Sequence, residues 1–297
     1  MLRRMDIQVI HKGGKVDMST FEKFGYLEKD FKMFHIVDRK RKEFAFHYHD
    51  FNKIIIFIKG NINYTIEGKN YSLKPYDIVL VNSGEIHRPS VLDDSEYERI
   101  IIYVSTQFLN AYAREDFNLN DCFERAKKEK SNVLRVHSLD KSKLYQVCLE
   151  LEHSFEDNAF GKELYQKILF LEFMIHLNRT VLSNHINYLD SVIGSTKLVQ
   201  ILDYINEHLV EEITIDSLAA HFYINRYYLM HFFKEETGYT IGNYITEKRL
   251  LCAKNLVQNG QSATEACYRS GFRNYSTFSR AFKKAFNTLP KNAQMID

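Results

Sequence analysis

One pattern occurs twice in the last third of this 297-residue chain, and it restricts the fold more than any other feature. Thr214 opens a short run, Leu218-Ala219-Ala220-His221-Phe222. A turn follows, and Asn225 then leads into Arg226-Tyr227-Tyr228-Leu229-Met230-His231-Phe232-Phe233-Lys234. The second copy runs from Ser262 to Tyr268, through Gly271-Phe272-Arg273-Asn274, into Tyr275-Ser276-Thr277-Phe278-Ser279-Arg280-Ala281-Phe282-Lys283-Lys284. Each copy predicts a short helix, a tight turn and a second helix, with a small residue where the two helices approach. Asn225 and Asn274 stand where a side-chain oxygen is needed to accept the free N–H groups that begin a helix. A long helical stretch from about Ile241 to Val257 lies between the copies.

Such a motif puts the N-terminal part of its second helix into the DNA major groove. In the first copy Leu229 and Phe233 hold that helix to a core, which leaves Arg226, Tyr227, Met230, His231 and Lys234 on the opposite face. In the second, Phe278 and Phe282 play the core role, and Tyr275, Ser276, Thr277, Ser279, Arg280 and Lys283 remain. Arg280 is the best candidate for bidentate reading of a guanine, a contact of roughly 1–3 kcal/mol in discrimination. Arg273, Lys284 and Lys291 are assigned to phosphate, which positions without specifying. The net charge of +2 hides an asymmetry: no acid occurs between Glu265 and Asp297, whereas six basic residues do. A one-sided basic segment draws phosphate by counterion release. Two recognition helices about one DNA turn apart, roughly 34 Å, would enter successive grooves of double-stranded DNA.

The rest of the chain reads differently. From about Phe31 to Val104, short apolar or alternating runs are separated by Gly- and Asn-rich turns, as in a barrel or jelly roll. The clearest are Phe44–His49, Ile54–Lys59, Ile62–Glu67, Asp77–Val81 and Arg99–Val104, and Asp38–Glu43 reads as an exposed turn. From about 140 to 180 the period is helical, with two helices parted by Asn158-Ala159-Phe160-Gly161. Their surplus of apolar residues suits packing on the barrel or a homodimer contact. Four scattered cysteines read as reduced thiols, and neither a signal peptide nor a membrane-length apolar run is evident. The expectation is therefore a cytoplasmic α+β multidomain protein that engages no membrane. Its regions are a barrel over 1–138, a helical hairpin over 139–184, a linker over 185–195 and an all-α domain over 196–297.

Residues Ile213 to Pro290 resemble the DNA-binding domain of the AraC/XylS family of bacterial transcription regulators. The matching pieces are Leu218-Ala219, Tyr228-Leu229, Phe233-Lys234, Thr237-Gly238, Tyr244-Ile245, Arg249-Leu250 with Ala253, Gly271-Phe272, Phe278 to Lys284, and Pro290. Departures are Asn287 and Leu289 where the family has Gly and Ser or Thr, Ala293-Gln294 for its closing Tyr-Arg, Ala266 for a larger aliphatic, and Asn225 for the usual Ser. The resemblance implies a regulator whose barrel holds a small effector, performs no enzymatic reaction, needs no cofactor and, when bound at a promoter, has RNA polymerase as a further partner.

His47 and His49 lie at i, i+2 on an extended run and so share a face, and His87 follows a later turn. This resembles the cupin barrel, whose metal-binding members add a Glu. Lys53 stands at that position here, and a cation beside two imidazoles opposes a divalent metal. Three readings are ranked in order: an effector pocket of His47, His49, Lys53 and His87 favouring an anionic or hydroxylated ligand; structural histidines; and a metal-dependent cupin enzyme fused to a DNA-binding domain. No metal site is assigned. A regulator without any small-molecule ligand is the remaining alternative.

Overall fold

The computed structural model describes residue 27 and residues 30–39, 43–156, 158–183, 186–193 and 195–295. The N-terminal stretch read for a signal peptide, the centre of the 38–43 turn, and positions 185 and 194 of the expected linker lie outside the described residues.

Among the described residues, ten strands build two facing antiparallel sheets. In chain order they are β1 (Phe31–Asp38), β2 (Asn52–Lys59), β3 (Ile62–Ile66), β4 (Lys69–Ser72), β5 (Asp77–Val81), β6 (His87–Val91), β7 (Tyr97–Val104), β8 (Val133–Val136), β9 (Ile186–Tyr188) and β10 (Val192–Ile193). One sheet has the order β1-β7-β2-β5-β8-β9 and the other β10-β4-β3-β6. The turn at Glu67-Gly68 joins β3 to β4 with positive φ at both residues, the geometry that matches the twist of a two-residue hairpin. Pro89 sits in β6, at the edge of its sheet, where a missing N–H breaks no ladder.

The run Ile54 to Ile58 is apolar without alternation because its strand is covered on both faces. Ile55 and Phe57 point between the sheets, with Tyr64, Ile66, Val79 and Ile101. Ile54 and Ile56 point outward beneath helices, with Phe123, Val147, Phe170 and Phe173. Those helices are α1 (Thr106–Ala111), α2 (Asp121–Lys128), α3 (Lys143–Ser154) and α4 (Lys162–Leu182). The hairpin of α3 and α4 thus packs its surplus on the larger sheet, and each fully buried Phe contributes about 1.5–3 kcal/mol. The outer side of α4 still exposes Leu164, Tyr165, Ile168 and Ile175.

Two expectations are corrected. Phe44 to His49 forms no ladder strand; His47 and Tyr48 are in isolated bridges, that of His47 being to His87. The stretch expected to be a free linker carries β9 and β10, which pair with β8 and β4 and so tie it to both sheets. The exit of the chain toward the helical region is therefore held by backbone hydrogen bonds.

The helices beyond are α5 (Thr196–Glu207), α6 (Ile215–His221), α7 (Arg226–Thr237), α8 (Ile241–Gln258), α9 (Ala263–Arg269) and α10 (Tyr275–Phe286). The first half of α8 gives Ile241, Tyr244 and Ile245 to a core with Leu218, Leu229 and Phe233. Its second half gives Leu250, Ala253 and Val257 to another, with Cys267, Phe278 and Phe282. One helix thus belongs to both motifs and spaces them. Ala266 and Ala293 are buried in the second core. Asn287 ends α10 at φ +55, and Asn is the non-glycine residue best suited to that left-handed cap.

Candidate nucleic-acid interface and barrel histidine cluster

Both repeated patterns form the helix pairs expected of them. Asn225 Oδ1 accepts from the N–H groups of Tyr227 and Tyr228 at 2.8 and 3.4 Å, and Asn274 Oδ1 accepts from that of Thr277 at 2.9 Å. Thr214 with Ser217, and Ser262 with Glu265, close reciprocal capping boxes on α6 and α9. Leu229, Phe233, Phe278 and Phe282 are fully buried, which turns the opposite faces of α7 and α10 outward.

On α7, Arg226, Tyr227, His231 and Lys234 are exposed and Met230 is half-buried. Met230, His231 and Lys234 border a groove of about 410 Å³ that Ile215, Thr240, Ile241 and Gly242 complete. On α10, Ser276, Thr277, Arg280, Lys283 and Lys284 are exposed, and Ser279 is half-buried. Tyr275 is less available than the sequence suggests, because its ring packs edge-on against Phe278 and joins the second core. Arg273 lies in the turn before α10, where its Nη1 meets Glu212 at 2.9 Å; Arg226 Nη1 meets Asp216 at 3.2 Å. These exposed pairs hold both guanidiniums near their recognition helices, and a DNA phosphate would compete for them.

The relative placement of the two motifs depends on a residue quoted above for the resemblance but given no role there. Arg249, from the middle of α8, donates through Nε to Leu209 O at 2.8 Å and through Nη2 to Glu211 O at 2.6 Å. Gly271, at φ +91, fits into the same junction: a Cβ there would lie 2.7 Å from Leu209 O and 2.9 Å from Arg249 Nε. The turn of the second motif is thus seated on the loop that begins the first.

In the barrel, His47, His49 and His87 meet as the sequence suggests. One potential ligand nitrogen from each lies within 4.8 Å of the others, and ring centroids are 4.4 Å (His47–His87), 5.0 Å (His49–His87) and 5.2 Å (His47–His49) apart. Lys53 points inward from β2, with Nζ 3.4 Å from His87 Nε2 and 3.4 Å from the Tyr64 hydroxyl. Burial, aided by Lys53, pushes His47 down to about 3, and burial, with His47 and Lys53, holds His87 well below the ordinary histidine value. Lys53 is itself lowered to about 7, first by burial and then by the Arg99 guanidinium. Lys53 thus faces inward beside the histidines, as an amine whose affinity for its proton is reduced by burial.

The segment that carries the histidines has two faces. His47 and His49 point into the barrel, and the residues alternating with them reach the helical region. The Tyr48 hydroxyl donates to Glu247 at 2.9 Å, Asp50 accepts from Lys254 Nζ at 2.7 Å, and Phe46 O accepts from the Tyr239 hydroxyl at 2.7 Å. The β3–β4 turn adds Glu67, which accepts from the Tyr244 hydroxyl at 2.7 Å and from Lys248 Nζ at 2.9 Å. Ile86, next to His87, is buried in the core of the first motif, and Gly84, at φ +81, leaves room for Leu251. Five positions of α8 (Tyr244, Glu247, Lys248, Leu251 and Lys254) therefore touch the barrel. The alternation Phe46, His47, Tyr48, His49, Asp50 was the available signal, since it places aromatic residues on the barrel's outer face.

Two protein-family models match separate stretches of the chain. Residues 33–174 match the AraC-like ligand binding domain and residues 218–295 match a helix-turn-helix domain. The HTH-type transcriptional activator RhaS of Escherichia coli is 23% identical over 252 residues, spanning 84% of this chain and 87% of RhaS. Among solved structures, ToxT of Vibrio cholerae is 16% identical, with 90% of this chain and 98% of that one aligned at a TM-score of 0.38. A Listeria innocua protein of unknown function is 29% identical over 34% of this chain and 98% of its own, at a TM-score of 0.33. Among the described residues, no helix is long and apolar enough to cross a membrane.

Proposed function

This chain belongs to the AraC family of effector-controlled, DNA-binding transcription regulators, and from that premise we propose that a ligand held by His47, His49, Lys53 and His87 governs operator binding through α8. The observation that carries the reading is the alternation along residues 46–50, in which Tyr48 and Asp50, flanking the inward His49, are bonded to α8, and Phe46, before the inward His47, is bonded to Tyr239 just ahead of it. Because α8 contributes to the cores of both motifs, a shift of the segment against it changes how α7 and α10 are presented together. A packed element of this kind moves as a unit rather than deforming gradually.

In this reading Arg280 reads a base, with Ser276, Thr277 and Ser279 beside it, and Arg273, Lys283 and Lys284 engage phosphate. On α7, Tyr227, Met230 and His231 contribute shape and apolar contact, with Arg226 and Lys234 at the phosphates. The protein acts in the cytoplasm and performs no enzymatic reaction, consistent with a cluster closed to bulky substrates: His87 is fully buried and Lys53 nearly so. The exposed stripe Leu164, Ile168 and Ile175 on α4 is the surface for a homodimer, and RNA polymerase is the partner at the promoter. Selection of bound sequences from random DNA by the full chain tests the reading. Recovery of one preferred site, lost in Arg280→Ala, supports it; recovery of unselected sequence contradicts it.

A further inference from the structure

We propose that Tyr223, in the turn before α7, positions the first motif on DNA by donating its hydroxyl to a backbone phosphate. The inference rests on the reading of α7 as a recognition helix and adds a contact outside that helix.

The chain supplies its own comparison. The leading helices of the two motifs, α6 and α9, end alike. Tyr223 N donates to Ala220 O at 3.2 Å and Ile224 N to Ala219 O at 2.9 Å. Gly271 N donates to Tyr268 O and Phe272 N to Cys267 O, both at 3.1 Å. This pair of bonds is a helix stop whose first residue beyond the cap takes a left-handed backbone, and glycine is its usual occupant. Gly271 holds that place at φ +91 and Tyr223 at φ +52. The apolar residue that follows, Phe272 or Ile224, packs on the core of its own motif. The two turns are one structure with different residues at one position.

Their surroundings differ. Gly271 is pressed against Leu209 O and Arg249 Nε, so no side chain fits there. Tyr223 is 95% exposed. A left-handed backbone costs free energy in a residue with a Cβ, and a ring left in water buries no surface to offset it. Tyr76 shows the opposite case: it too is left-handed, at φ +70, but its ring packs edge-on against Tyr145 at 5.5 Å. Strain that the fold does not offset points to a use of the side chain outside the fold.

Position names the use. The N-terminal end of a recognition helix is the end that enters the groove. Tyr223 stands two residues before Asn225, the cap of that end, where the chain passes the phosphate backbone bordering the groove. Arg226 and Tyr227, just inside the cap, are exposed as well. Tyrosine hydroxyls are among the groups that meet phosphate oxygens, and such contacts fix register without reading sequence.

The test is fluorescence anisotropy of the full chain on its selected operator and on unselected DNA of equal length. Tyr223→Phe keeps the ring and the backbone, and should weaken binding to both DNAs by about tenfold, the worth of one hydrogen bond to a charged group. The slope of log affinity against log salt should stay that of the wild type, because the lost group is neutral. Tyr223→Lys should recover affinity and steepen that slope by about one. Tyr223→Gly should bind like Tyr223→Phe, with an unfolding midpoint at or above that of the wild type, since glycine adopts this φ freely. A lowered midpoint in Tyr223→Gly with unchanged binding by Tyr223→Phe would place the ring in the fold and overturn the contact. Unchanged affinity in Tyr223→Phe with an unchanged slope in Tyr223→Lys also overturns it; a loss of promoter-directed transcription in those variants would then assign the ring to a protein partner. His231→Ala separates the contact from the reading beneath it. Operator affinity lost in His231→Ala but kept in Tyr223→Phe overturns the contact alone, and affinity kept in both contradicts the placement of α7.

Discussion

Asp50 and Lys254, 204 positions apart in the chain, meet at 2.7 Å across the junction between the histidine-bearing segment and α8. Neither carboxylate nor ammonium is fully exposed, at 11% and 20% of side-chain surface, so water screens the pair less than it would a surface bridge. A double-mutant cycle with Asp50→Ala and Lys254→Ala should return a coupling energy of about 1 kcal/mol in thermal or urea unfolding. Strictly additive effects would mean that the junction is not held by this pair.

The seat between the two motifs gives a sharper expectation. Gly271→Ala combines an unfavourable φ with a Cβ 2.7 Å from Leu209 O, and should destabilise the helical region by about 1–3 kcal/mol. Arg249→Met removes two charge-assisted hydrogen bonds and should cost a similar amount. Both should reduce affinity for a full operator more than for a fragment holding one motif's half. Equal losses on the two DNAs would separate the seat from motif spacing.

The two sides of α10 should fail differently on DNA. Arg280→Ala should relax preference at one base position, by roughly 1–3 kcal/mol. Lys284→Ala should weaken binding to all sequences alike and lower the slope of log affinity against log salt by about one. Selection and salt titration of the two variants read these effects separately.

Stability should depend on pH through Lys53. Its folded value is lowered to about 7 by burial and by Arg99, whereas the unfolded chain keeps it near the ordinary value. Between these limits the unfolded chain holds a proton that the folded chain lacks, so stability rises with pH. The slope is about 1.4 kcal/mol per pH unit. Chelator-treated wild type should gain stability from pH 7 to 9 relative to Lys53→Met. Parallel curves for the two proteins would show that the amine is charged inside the barrel.

Much of this was legible in the sequence, for reasons that differ by region. The double motif stood out because helix caps, an i, i+4 core pair and a polar face are all local; Asn225, Asn274, Phe278 and Phe282 take the roles their spacing implies. The three histidines were legible as a group because i, i+2 spacing on extended chain sets a common face. What escaped was long-range. Phe44–His49 alternates like a strand but is bridged to β6 at His87 instead of forming a ladder, and its Tyr48 reaches α8. Arg249 bonds only to backbone carbonyls, which carry no signature in side-chain identity. Residues 186–193 lack the length of ordinary strands and form only where two sheets offer free edges. The lowering of Lys53 toward about 7 was not legible, because it depends on burial that composition does not reveal.

If the barrel controls DNA binding through its contact with α8, operator affinity must change in a variant that loses this contact. Tyr48→Phe combined with Asp50→Asn removes two bonds to α8 and no DNA-facing group. Fluorescence anisotropy on the selected operator should shift by at least about fivefold, the lower end of ordinary coupling between sites. A binding curve superimposable on that of the wild type would contradict the account.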